Sequence, residues 1–184
     1  MPEDHFGTWG ENEEKEKIQI YTDGSLTLKK GRNEAGWAAA IHNDWYEKNW
    51  RELHERNHEG YRRKQIKTKM DTWGGQIHRA ESSYTTEMEA ITKMLMIIPI
   101  TWDVEIITDS KSAIDTIERM EARGVNDKDN EWQLRRIIKE VLNRRKGKII
   151  WTHQKSHKKW YTKKSIGNAV ADLKAEDYTK GYEC

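Results

Sequence analysis

Two aspartates close apolar runs in nearly the same words: "IQIYTDGSLT" at 18–27 and "EIITDSKSAI" at 105–114. In a sheet built with crossover connections, ligands are held at the carboxyl ends of adjacent strands. If these two runs are neighbouring strands, Asp23 and Asp109 converge. Two bare carboxylates brought together repel, and a shared cation relieves the repulsion, so the arrangement calls for further oxygen ligands. Glu87 is one candidate. It falls at the start of a helical run beside the apolar stripe, whereas Glu89 points to the other side. Asp172 is another, next to Leu173 and one turn after Asn168 in "IGNAVADLKAEDY". An all-oxygen set of this kind suits Mg²⁺ or Mn²⁺. Each acid also has a local reading: Asp23-Gly24 as a turn, Asp109 as a helix cap, Glu87 as an acid favoured by a helix N-terminus, Asp172 as surface.

A rival chemistry is written at 54–58. "HERNH" satisfies His-Glu-x-x-His, in which two imidazoles one turn apart hold Zn²⁺ and the Glu activates water. Its neighbours, "WREL" and "EGYRRK", lack the apolar anchors of a buried zinc helix, and the extended form of the pattern fails at Gly60. A third constellation, "HQKSHKKWYTKK" (153–164), interleaves basic and aromatic residues just before Asp172. Such a loop suits phosphates, with rings packing on sugars or bases. His157 within it is a candidate proton shuttle or aid to product release, against a plain reading as an exposed loop histidine.

The elements that must place these residues follow from periodicity. "KIQIYT" (17–22) and "AGWAAAI" (35–41) read as strands joined through a turn at "KKGRNE". "DTWGGQIHRAE" (71–81) reads as a weak third strand broken by two glycines. Residues 43–70 are highly charged with few apolar anchors and read as a partly helical surface excursion. After Ser82 and Ser83 a helix carries Met88, Ile91, Leu95 and Ile98 as its stripe, flanked by Glu87, Ala90 and Met94, and Pro99 ends it. "DVEIIT" (103–108) is a strand. Ala113, Ile114, Ile117 and Met120 share the face of the next helix. "EWQLRRIIKEVLNRRKG" is an amphipathic helix with Leu134, Ile137, Ile138, Val141 and Leu142 inward and Gly147 as its cap. "KIIWT" (148–152) is a last strand, and a helix closes the chain. Three strands, helix, strand, two helices, strand, helix is the order of an α/β domain, with an antiparallel β1-β3 meander and helical crossovers after it.

Composition bounds what such a domain does. The 184 residues suffice for one domain with a real core, here 17–178 between an acidic segment at 1–16 and a tail at 179–184. Charged residues make up 35% of the chain and the mean hydropathy is −1.06, so the helices carry heavily charged outer faces. No apolar run approaches the roughly 20 residues a membrane span needs, and the acidic start is unlike a secretory leader. The single cysteine, Cys184, excludes an intramolecular disulfide and points to a reducing, intracellular setting rather than export. Net charge is only +2, yet basic clusters at 62–64, 135–136, 143–148 and 157–164 favour a polyanionic partner.

Taken together, "IYTDGS" with "AGWAAAI", "SSYTTEMEAI", "IITDSKSAI", "NEWQLRRIIKEVL" and "IIWTHQKSH…GNAVADLKA" resemble the type 1 ribonuclease H family over roughly residues 17–178, including the form appended to reverse transcriptases of retroelements. The resemblance implies a ribonuclease H-like α/β fold, a five-stranded mixed sheet with helices on both faces. It implies catalytic acids at Asp23, Glu87, Asp109 and Asp172, holding two Mg²⁺ ions for which Mn²⁺ substitutes. Asp23 would bridge both ions, Glu87 and Asp109 would complete one, and Asp172 the other. The family's mobile histidine falls on His157 rather than His153.

The implied reaction is hydrolysis of the RNA strand of an RNA–DNA hybrid, leaving 5′-phosphate and 3′-hydroxyl ends. The basic helix 132–146 and the loop 155–164, Lys155 included, would follow the DNA backbone. Gly24, Ser25, Ser82 and Ser83 would approach the ribose 2′-OH, with Asn168 a further substrate contact. Tyr84 stands where many cellular members place asparagine, the 43–70 segment has no counterpart in the minimal domain, and the loop from His157 to Asn168 is longer than usual. No hybrid-binding N-terminal module is present. The short lead-in and abrupt end suit a monomer or a domain excised from a larger polyprotein. The alternatives are a related nuclease acting on DNA or structured RNA, and an idle nucleic-acid-binding module; the latter has no need of four mutually repelling acids.

Overall fold

Alternation along the first strand, β1 (Lys17–Lys29), sends Ile18 and Ile20 to one face of the sheet and Gln19, Tyr21 and Asp23 to the other. The computed structural model describes residues 17–29, 32–44, 47–48, 51, 71–78, 80, 82–124, 132–155 and 163–180. The remaining elements are β2 (Arg32–Ile41), β3 (Asp71–Ile77), α1 (Ser83–Ile97), β4 (Asp103–Thr108), α2 (Lys111–Arg123), α3 (Trp132–Arg144), β5 (Ile149–His153) and α4 (Lys163–Thr179). The five strands form one mixed sheet in the order β3-β2-β1-β4-β5. β1, β2 and β3 pair antiparallel, while β4 joins β1, and β5 joins β4, in parallel. This is the expected architecture, with the meander first and the helical crossovers after it.

One core lies between the sheet and α1, α2 and α3. It unites Ile18, Ile20, Val104 and Ile106 with Met88, Ile91, Met94 and Leu95 of α1, Ile117 and Met120 of α2, and Ile138 of α3. Four tryptophans also serve it: Trp37 and Trp102 are buried, and Trp73 and Trp151 pack against its edge. α4 covers the opposite face. Its contact is close because glycines remove side chains from the interface: a Cβ on Gly167 would lie 2.3 Å from the Tyr21 ring, and one on Gly36 would lie 2.6 Å from the Thr179 nitrogen.

Several local expectations are corrected. β1 does not end at Thr22 but continues to Lys29, because its ladder with β2 runs unbroken from Ile20↔Ile41 to Lys29↔Arg32. Asp23-Gly24 is therefore no turn, and Asn33 and Glu34 belong to β2. The glycines of β3 do not break it. Gly74 instead leaves room for Tyr178 of α4, whose ring would come within 2.2 Å of a Cβ there. α3 ends at Arg144, three residues before Gly147, whose amide donates to the Ile100 carbonyl at 2.9 Å. A Cβ at 147 would collide with the Trp102 carbonyl, so packing rather than capping requires glycine there. Ile137 is 47% exposed, since the inward stripe of α3 passes through Leu134, Ile138 and Val141. Of 43–70, only Asn43, Asp44, Glu47, Lys48 and Arg51 are described, and the last four of these are exposed and helical. "HERNH" (54–58) lies outside the described residues, as do the segments 1–16 and 181–184.

Candidate metal centre

The parallel ladder between β1 and β4 ends at Thr22↔Thr108, and the next residue on each chain is an aspartate. β4 stops there while β1 runs on beside β2, so Asp23 sits mid-strand and Asp109 at a strand end, side by side on the α4 face. Asp109 does not cap the helix that follows. Ser110 does so, its hydroxyl accepting from the Ala113 amide at 3.2 Å, and Gly124 closes that helix at φ 81°.

Glu87 arrives from α1. Ser82 caps this helix, its hydroxyl accepting from the Thr85 amide at 3.3 Å, so Glu87 lies in the second turn rather than the first. Its place near the helix start therefore does not explain it. α1 meets β1 where β1 carries no side chain: a Cβ on Gly24 would lie 2.1 Å from Thr86 Oγ1. That close approach brings Glu87 onto Asp23. Glu89 is turned away and pairs with Lys93 at 3.6 Å on the half-exposed side of the helix.

Asp23 is 2% exposed and Glu87 8%, and with Asp109 they offer carboxylate oxygens that all lie within 4.8 Å of one another. Asp23 Oδ1 accepts from the Gly24 amide at 2.9 Å, but Asp23 Oδ2 and Glu87 Oε2 are buried without a fixed donor among the described residues. Burial above all, then the charges of Glu87 and Asp109, raises the Asp23 carboxyl well above the usual carboxylate range. Burial likewise pushes Glu87 up to about 8, aided by Asp109 and opposed by a proton shared with Asp23 and by the Gly24 amide. Without a cation the pair thus retains a proton near neutral pH. Buried orphan oxygens in an all-oxygen set are what a hard divalent cation satisfies, so these residues fit one.

Asp172 approaches the group from the opposite side, on α4, and adds to the influences that raise the Asp23 carboxyl, though it lies outside the tight set of three. Asn168, one turn earlier, is 5% exposed and its Oδ1 has no partner among the described residues. Of the other candidates, Gly24 has a packing reason for its size, and the Ser25 carbonyl accepts from Thr179 Oγ1 at 3.4 Å. Ser82 is engaged as a cap, while Ser83 and Lys155 are exposed. His157 lies outside the described residues. His153 ends β5 with its Nε2 at 3.2 Å from the Asp109 carbonyl. Tyr84 packs against the core and carries the Arg135 guanidinium 5.8 Å above its ring, tying α1 to α3. The residue that sequence reasoning passed over is Glu105, buried on the same sheet face. Inside "DVEIIT" a β-branched run hides it, and only its phase with Asp109 could have marked it.

Solved structures share this architecture. The solution structure of the prototype foamy virus RNase H domain matches with a TM-score of 0.63 at 19% identity, covering 92% of this chain and 98% of that one. A foamy viral protease-reverse transcriptase in complex with RNA/DNA hybrid matches with 0.60 at 16%, over 90% of this chain and 20% of that one. RNase H1 from the halophilic archaeon Halobacterium salinarum NRC-1 matches with 0.56 at 15%, over 91% and 100%. At such identities the likeness is one of fold. No curated protein sequence matches the chain significantly. The family profile described as RNase H, however, matches residues 15–180. With nearly the whole chain matched, and the acidic cluster seated where its β1 and β4 part company, this chain belongs to the ribonuclease H family of enzymes.

Proposed function

We propose that the chain cuts the RNA strand of RNA–DNA hybrids with two Mg²⁺ ions, Mn²⁺ substituting, and leaves 5′-phosphate and 3′-hydroxyl ends. The observation that carries this reading is the pair of buried orphan oxygens, Asp23 Oδ2 and Glu87 Oε2, within a cluster completed by Asp109 on a ribonuclease H fold. Asp23, central in the group, would touch both ions, Glu87 and Asp109 one of them, and Asp172 the other. When bound, the ions supply activation of the attacking water and stabilisation of the departing 3′ oxygen. The protein contributes the fixed placement of four carboxylates, held by strand register on one side and by helix packing on the other. His157 is proposed to move protons or help product leave.

Substrate contact is assigned to the exposed Arg136 and Arg144 of α3 and to Lys155 for the DNA backbone, with Ser25, Ser82, Ser83 and Asn168 nearer the cut. A domain of a larger chain fits the foamy viral match, which spans one fifth of that protein. Hybrid substrate also fits an intracellular setting. Among the described residues no helix is long and apolar enough to cross a membrane.

The test is cleavage of labelled RNA–DNA hybrid, double-stranded RNA, double-stranded DNA and single-stranded RNA, each in Mg²⁺, Mn²⁺, Zn²⁺ and chelator. Hybrid alone should be cut, in Mg²⁺ or Mn²⁺, and Asp109→Asn should lower the rate about a thousandfold or more. Undiminished cutting by Asp109→Asn sinks the mechanism, and equal cutting of double-stranded DNA sinks the substrate assignment.

A further inference from the structure

Two ladders of equal length run side by side beneath α4. On the helix, Lys164, Asn168 and Asp172 recur every four residues and form one stripe. On the sheet, the α4 face of β1 and β4 presents Gln19 beside Glu105, then Tyr21 beside Ile107, then Asp23 beside Asp109. From residue 164 to 172 the helix rises roughly 12 Å. From 105 to 109 the strand rises roughly 13 Å. A contact made at one end therefore sets what meets at the other.

The lower end is tied down by Glu105, 6% exposed on β4. Its carboxylate accepts from Gln19 Nε2 of β1 at 2.7 Å, from Thr152 Oγ1 of β5 at 2.6 Å and from Lys164 Nζ of α4 at 3.3 Å. One acid thereby joins three neighbouring strands to the first turn of the helix. Burial works against its charge, but these donors outweigh it and hold the carboxyl below the usual glutamate range. A buried strand position ordinarily takes a β-branched apolar residue, and an ion pair there adds little stability over one. What the pair adds is a defined seat. This half of α4 buries Ile166, Val170 and Ala171 beside Gly167, and the Lys164–Glu105 pair adds a charged contact to the sheet at its first turn. The last turns are held elsewhere, against Gly36 and Gly74.

We propose that Glu105 is a positioning residue of the metal site: through Lys164 it fixes the axial seat of α4, so that Asp172, two turns further on, faces Asp23. The inference rests on the reading of Asp172 as a ligand. The test uses the full chain and Mn²⁺ as probe, with binding followed by calorimetry in the absence of nucleic acid, alongside thermal unfolding in chelator and the Mg²⁺ dependence of hybrid cutting. Lys164→Met and Glu105→Gln should each weaken the Mn²⁺ site that Asp172→Asn removes by roughly tenfold. They should raise the Mg²⁺ concentration for half-maximal cutting by a similar factor, and Lys164→Arg should restore both. If Asp172→Asn alters Mn²⁺ binding while Lys164→Met and Glu105→Gln do not, the positioning role is overturned and the site stands. A lowered melting temperature with unchanged Mn²⁺ affinity overturns it equally, because a merely structural pair would behave so. If Asp172→Asn itself leaves Mn²⁺ binding intact, the ligand reading fails and the inference with it.

Discussion

Glu87 and Glu105 are both buried glutamates, one reaching the Asp23 cluster from α1 and the other standing on the α4 face of the sheet, yet they behave in opposite ways. Glu105 has a donor from each of three neighbouring elements and keeps its charge easily. Glu87 faces Asp23, Asp109 and Asp172, has one buried oxygen with no fixed donor, and holds a proton up to about pH 8. Burial alone thus decides nothing about a carboxylate; the supply of donors does. The Glu105 end is a finished structural joint, while the Glu87 end leaves carboxylate oxygens that a cation could satisfy. A protein maximising its own stability would not build the second, so its electrostatic cost marks where the chemistry is.

Substituting the central acid tests that contrast most severely. Asp23→Asn should lower hybrid cutting by about a thousandfold or more. In chelator at pH 8 the same variant should be more stable than the parent by roughly 1–3 kcal/mol, because one of the repelling charges is gone. Calorimetric unfolding and an activity assay on one preparation check both. A variant that loses activity and metal-free stability together would show that the cluster is held by something other than a missing cation.

The two glutamates should also leave opposite marks on stability against pH. A carboxyl raised in the folded state binds more protons there than in the unfolded chain, so its stabilisation is full below the unfolded value near 4.5 and is lost as pH rises through about 8. A carboxyl lowered in the folded state, as Glu105 is, stabilises above the unfolded value and loses that as pH falls through its own. In chelator, Glu87→Gln should flatten the decline between about pH 4.5 and pH 8, and Glu105→Gln the decline on the acid side. Added Mg²⁺ should abolish the first decline and leave the second. Melting temperatures of the three proteins across this range decide the matter; the same slope change in both variants would erase the distinction.

The smallest effect belongs to the neighbouring acid that helical phase turns away. Glu89→Ala removes one partly exposed i,i+4 pair with Lys93 and should cost no more than about 0.5 kcal/mol. Its cutting rate should stay within about twofold of the parent. A large loss of rate would mean that Glu89 and Glu87 had exchanged roles.

The order of elements, the strand and helix types and the helical phase separating Glu87 from Glu89 could be read directly, because they depend on local spacing of apolar residues. So could the stripes of α1 and α2, whose expected inward residues are all buried. Where spacing is ambiguous, tertiary contacts decide. Ile137 and Ile138 are adjacent isoleucines on a charged helix, and only the neighbouring helix selects Ile138. The glycines misled for the same reason: Gly24 resembles a turn, Gly74 a break and Gly147 a cap, yet each is small because another segment passes close to it.

By itself, then, the sequence determined the family's α/β order and which acids were available, since both reside in residue type and short-range period. Tertiary structure alone decided that β1 outlasts β4 by enough to leave Asp23 mid-strand beside Asp109, that Gly24 lets α1 lower Glu87 onto them, and that Glu105 anchors the helix bearing Asp172. Those are relations between segments up to roughly a hundred residues apart, fixed by strand register, close packing and the donors a buried charge must find. No local pattern in the chain encodes them.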